Sequence, residues 1–156
     1  MTPPNSEKGV SQGGVECLYQ ETIKSLAASI RRDRPLKSYD FSIAKRSKLC
    51  GSEVTLDARL QEDHKIAEIG YKTKACLLGM ASTALVVTQA PGCSAQDLQT
   101  VANQLTRLLA GERDVVFESP WQDLSIFKAA LAFPERHSAI LLPFKALLEG
   151  FATQKV

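Results

Sequence analysis

"SEVTLDARLQ" (residues 52–61) is the stretch on which the fold turns, because Val54, Leu56, Ala58 and Leu60 alternate without a break with Glu53, Thr55, Asp57 and Arg59. Strict period two describes a strand with one face toward a core and the other toward water. The runs on either side, "SYDFSIAKRSKL" (38–49) and "KIAEIGYKTK" (65–74), are also strand-like, and the connections between the three are short. Short connections join antiparallel neighbours, so a three-stranded meander is expected.

Outside this core of strands the period changes to that of helices. Leu18, Tyr19, Ile23, Leu26, Ala27 and Ile30 recur at helical spacing between Val15 and Arg32, ahead of the breaker "RRDRPL". On the other side, Cys76 to Gln89 is apolar around most of its circumference, which predicts a helix running through the interior. Ser94 with Asp97 three residues on forms a capping box for a helix that ends at Gly111. "SPWQ" (119–122) repeats that start signal, with Ser119 as cap, Gln122 at the reciprocal position and an inner stripe of Trp121, Leu124, Phe127 and Leu131. The last helix is expected from about His137 to Phe151, with Pro143 in its second turn. One helix, three strands and then four helices make an α+β domain, with helices packed on one face of a three-stranded antiparallel sheet. Residues 1–14, polar and rich in Pro and Gly, are expected to be a disordered arm, and 15–156 a single domain.

Composition removes several function classes. Nineteen basic against seventeen acidic residues, with basic clusters no longer than four residues, do not make a nucleic-acid groove, and 6% aromatics are too few for a stacking platform. The N-terminus has no apolar signal core, and the best apolar run, 75–87, is too short to cross a bilayer. A cytoplasmic protein without a membrane or nucleic-acid partner is expected. There is no Gly-rich phosphate loop and no Ser-His-acid set among the motifs, so a classical enzyme is not expected.

Four cysteines remain to be explained in a compartment that keeps thiols reduced. Cys50 lies in the turn "KLCGSE" between the first two strands, and Cys76 opens the buried helix after the third. In a meander the first hairpin and the exit of strand three lie at the same end, so both thiols reach one edge of the sheet. The positive pole of the helix, with Lys72 and Lys74 nearby, stabilises a sulfur anion at Cys76. A buried cysteine also serves simply as a small hydrophobe, and that reading stays open for Cys76. Cys17 and Cys93 have no ligand-like neighbours in sequence.

"KLCGSEVTLDARL", "IGYKTKACLLGMASTALV" and "FPERHSAILLPFKALLEG" resemble, in order, the three motif regions of the IscU/SufU/NifU-type iron-sulfur cluster assembly scaffolds. The resemblance covers about residues 15–153, and residues 111–132 resemble the extra segment of the SufU branch. It implies the same sheet with helices on one face. It further implies Cys50 and Cys76 as ligands of iron or a nascent iron-sulfur cluster, with zinc as an alternative ion. Two ligand positions depart from the pattern: Ser52 stands where the family has aspartate, and Ala139 where it has its last cysteine. His137, two positions before Ala139, is a candidate replacement ligand beside its bland role as a capping or surface histidine. The implied partners are a cysteine desulfurase, downstream apo iron-sulfur proteins and a second copy of the chain as a homodimer. Two other readings accompany the scaffold: a persulfide-sulfur acceptor that activates a desulfurase, and a degenerate docking module whose thiols are idle.

Overall fold

The computed structural model describes residues 19–154. The expected arm, and the expected first turn of the opening helix, lie outside them. Within them the order is α1 (19–29), β1 (Phe41–Arg46), β2 (Glu53–Leu60), β3 (Ile66–Lys74), α2 (Leu77–Gln89), α3 (Ala95–Leu109), a 3-10 segment (Gln122–Ala130), a single 3-10 turn (Pro134–Arg136) and α4 (His137–Thr153). The strands pair antiparallel in the order β1-β2-β3. This is the α+β meander that the alternation in 52–61 predicts.

Val54, Leu56 and Ala58 point from the middle strand into the core, and α4 lies across β1 and β2 while also packing on α2 and α3. Its Ile140, Phe144 and Leu147 are fully buried. The last turn of α4 can approach the sheet because Gly150 has no side chain: a Cβ there would run into the ring of Phe41. α2 is wrapped on nearly every side, and its two buried hydroxyls are satisfied, Ser82 donating to the Ile140 carbonyl at 2.5 Å and Thr83 to the Gly79 carbonyl at 2.8 Å. The capping box at Ser94 and Asp97 is present in full.

Two details depart from the sequence reading. The segment expected to be a helix from Ser119 is a 3-10 helix capped at Trp121, without a side-chain cap bond. With three residues per turn, Trp121, Leu124, Phe127 and Ala130 line up on one face and are all buried. Leu131 would belong to that stripe at 3.6 residues per turn, and instead it is rotated outward, 42% exposed.

The other departure is Asp57, which the alternation assigns to the solvated face but which is only 5% exposed. The connection 31–40 passes over it. Arg34 pairs with the outer edge of β3, exchanging backbone hydrogen bonds of 2.9 and 3.0 Å with Tyr71, and the Leu36 N–H then donates to Asp57 Oδ2 at 3.0 Å. Ser42 Oγ donates to Asp57 Oδ1 at 2.6 Å. Gly70, the cross-strand partner of Asp57, makes room for this crossing. A Cβ on it would lie 2.5 Å from Leu36 N and 2.9 Å from the Arg34 carbonyl oxygen, both backbone atoms. Gly70→Ala is therefore expected to destabilise the fold by about 1–3 kcal/mol through overpacking, read as a lower urea midpoint; an unchanged midpoint would show that the crossing is loose.

Candidate functional site

The β1–β2 hairpin closes through Ser47 N–H to the Ser52 carbonyl and Gly51 N–H to the Ser47 carbonyl, both 2.8 Å. Gly51 takes φ +73°, the left-handed conformation that glycine adopts without strain, and this leaves Cys50 exposed at the tip. Cys76 is the N-cap of α2, half-buried, and its Sγ accepts the Gly79 N–H at 3.5 Å. Register joins the two places, since Glu53 at the start of β2 faces Lys74 at the end of β3.

One side chain ties them together. Ser52 is 3% exposed; its Oγ accepts the Cys76 backbone N–H at 3.0 Å and lies 3.3 Å from Cys50 Sγ. Ser47 Oγ lies 3.4 Å from the same sulfur and 2.6 Å from Ser138 Oγ in the first turn of α4. Protonated, the thiol donates to these hydroxyls; as a thiolate it accepts from them. Because Ser52 Oγ already accepts from Cys76, its own proton is free to turn toward Cys50. Two short relays thus run to one sulfur, each from the start of a long helix.

The acidity of Cys50 reflects this. Its slight burial raises the pKa, but the Ser47 and Ser52 hydroxyls, the Ser52 backbone and the Cys76 thiol outweigh that by hydrogen bonding to the thiolate, and the value falls from 9.0 to about 7.

The other sequence candidates lie apart. His137 opens α4, but its Nε2 is 2.8 Å from the Ala130 carbonyl oxygen, tying the ring to the end of the 3-10 segment. Among the described residues no three His, Cys, Asp or Glu side chains gather as a metal site, so His137 is not brought together with Cys50 and Cys76. A closed zinc site, which takes four ligands, is not assembled from the described residues. Ala139 is fully buried beside the first turn of α2, where a Cβ on Gly79 would be 3.4 Å from its own. The third motif therefore does reach the site, through Ser138 and Ala139. Cys93 is buried, which together with the nearby Asp97 carboxylate raises its pKa despite Trp121 and Lys65. Cys17 lies outside the described residues. His64 is exposed in the β2–β3 turn at the opposite end of the sheet. Leu49, Leu77 and Phe133 are exposed large apolar side chains, the first two each adjacent in sequence to a site cysteine.

Sequence reasoning missed Ser47, read Ser138 only as a poor ligand and a good helix cap, and read Ser52 only as a lost ligand. Serine is common in turns and helix starts, so nothing in the sequence separates these three from ordinary turn residues. With Ser52→Ala, the Cys50 thiolate loses one donor while the hairpin keeps its backbone bonds. The pH midpoint of Cys50 alkylation, followed by peptide mass spectrometry, is expected near 7 in the parent protein and higher in the variant. Coincident midpoints would contradict the relay.

A family model described as the NifU-like N-terminal domain matches residues 31–137. Among solved structures, the fold is similar to the N-terminal part of a nitrogen-fixing NifU-like protein from Brucella abortus, with TM-score 0.77, 26% identity and coverage of 86% of this chain and 92% of that one. It is also similar to a putative iron-sulfur cluster assembly scaffold protein for the SUF system from Fervidobacterium islandicum, with TM-score 0.68, 21% identity and coverage of 81% and 91%, a likeness of fold alone. No curated protein sequence matches the chain. The family model spans well over half of the chain, including both site cysteines and the three strands that place them: the protein belongs to the NifU-like N-terminal domain family.

Proposed function

We propose that this chain is an iron-sulfur cluster assembly scaffold or carrier in which Cys50 and Cys76 together hold iron or a nascent cluster as cargo. Family membership supports the general role. The observation that carries the specific one is the single Ser52 hydroxyl within 3.3 Å of Cys50 Sγ and 3.0 Å of the Cys76 N–H, which keeps the two cysteines at one edge of the sheet. One sulfur is exposed, with its pKa lowered to about 7, and the other sits at the N-cap of α2, where a negative ligand is favoured. The protein thus carries cargo and does not turn over a substrate.

Two thiolates are fewer than a cluster's usual four. Two copies meeting at this edge supply four, and Leu49, Leu77 and Phe133 offer apolar surface around the meeting point. In this reading the homodimer completes the ligand set where Ser52 and Ala139 have replaced it, and His137 remains a reserve ligand only if its bond to the Ala130 carbonyl opens. Apo iron-sulfur proteins are the recipients.

The lowered pKa of Cys50 favours a second role for the same site, acceptance of sulfur from a cysteine desulfurase. The Cys50 thiolate attacks the outer sulfur of the donor's persulfide, the new S–S bond forms as the old one breaks, and the donor cysteine leaves as its thiolate. No external oxidant or reductant is needed. Anaerobic reconstitution with ferric iron, a thiol reductant and sulfide is expected to give a coloured dimer that Cys50→Ser or Cys76→Ser bleaches. Colourless protein throughout, with one added sulfur on Cys50 after incubation with a desulfurase, would replace the cluster scaffold with the sulfur acceptor; colourless protein with unchanged masses would overturn both.

A further inference from the structure

A second site lies away from the thiols, where the 31–40 connection turns around the edge of β3. Two cavities, of about 620 and 560 Å³, meet there and share Ser29, Arg34 and Tyr71 in their walls. Both are within the size range of small-molecule sites. Arg59 and Glu68, which line the larger one, are six positions along β2 and β3 from Glu53 and Lys74 at the thiol end. At the rise of a strand that is roughly 20 Å, so the two sites work independently.

The lining is cationic, and its cations are not used up by the protein. Arg34, Lys37 and Arg59 face the larger cavity with a single carboxylate, Glu68. Glu68 is occupied, paired with Arg59 at 3.1 Å. Arg34 and Lys37 belong to no ion pair among the described residues, and Arg31 and Arg32 add charge in the smaller cavity. Asp33, the carboxylate of that cavity, already accepts the Thr73 N–H at 3.0 Å.

Tyr71 adds a hydrogen-bond donor to the wall that the two cavities share. It is 5% exposed, it lines both cavities, and its hydroxyl has no hydrogen-bond partner among the described residues. The hydroxyl oxygen is not among the buried unpartnered atoms of the described residues, so solvent reaches it although the ring is covered, and it is free to donate to a ligand. Its position is rigid, because the Tyr71 backbone is paired on one side with Leu56 and on the other with Arg34, and the same pairing fixes Arg34 at the cavity mouth. Ile30, Ile69 and Val87 complete the wall with apolar surface.

We propose that this cleft binds a small organic dianion, a phosphomonoester or a short dicarboxylate, with Arg34 and Lys37 pairing its charges, Tyr71 donating a hydrogen bond and the apolar wall holding its carbon body. Arginine suits either anion because its planar fork matches the paired oxygens of carboxylate and phosphate alike.

Calorimetric and NMR titration of the full chain with inorganic phosphate and with succinate distinguishes the two anions. Saturable one-to-one binding of at least one probe, weakened by added sodium chloride, is expected; phosphate alone assigns the phosphomonoester and succinate alone the dicarboxylate. Arg34→Gln is expected to lower the affinity about tenfold, as loss of one charge-assisted hydrogen bond does. Tyr71→Phe removes a single oxygen and keeps the packing, so it tests the site even if the arginine variant unfolds, and it is expected to weaken binding several-fold. Failure of both probes to saturate, or equal affinity in the parent and the Tyr71→Phe protein, would overturn the proposal. Neither result bears on the thiol site.

Discussion

The site depends on one hydroxyl group. Ser52 is buried at the base of the first hairpin, and its oxygen receives the N–H that opens α2 while also lying in hydrogen-bond contact with the sulfur at the hairpin tip. A turn between two strands and the start of a helix 24 residues later are held together by this contact. Without it, the exposed tip carrying Cys50 would keep its two backbone bonds and the Ser47 contact but lose its tie to α2.

The rest of the fold serves this junction. The meander brings the hairpin and the end of β3 to one side, and α4 closes the arrangement from above by placing Ser138 on Ser47 and Ala139 against the first turn of α2. Two helix N-termini, those of α2 and α4, therefore approach a single sulfur through serine side chains. The slight burial of Cys50 is outweighed by hydrogen bonds from Ser47, Ser52 and Cys76, which lower its pKa to about 7. At this site Ser52 contributes hydrogen bonds to both cysteines and brings no carboxylate charge.

Much of this was legible in the sequence, for reasons that are local. The alternation of 52–60 determined the middle strand, the Ser94 and Asp97 pair determined a helix start, and topology alone brought Cys50 and Cys76 to a common edge. What escaped was non-local. Asp57 reads as a solvated residue until the 31–40 connection is seen lying over it, a crossing that only Gly70 marks and that no periodicity announces. The stretch after Trp121 carries apolar residues compatible with either helical pitch, so the choice of 3-10 geometry, and with it the exposure of Leu131, is made by packing. At the site, a serine in place of a ligand reads as a deficit, and only three-dimensional contact turns it into a bridge.

The central claim is that Cys50 and Cys76 act as a pair, and dibromobimane tests it most directly, since this reagent becomes strongly fluorescent only when it joins two neighbouring thiols. Treatment of the reduced, metal-free protein is predicted to give fluorescence and a single crosslinked peptide pair containing Cys50 and Cys76. Fluorescence that persists in the Cys50→Ser protein, or alkylation of both cysteines without a bridge between them, would contradict the account.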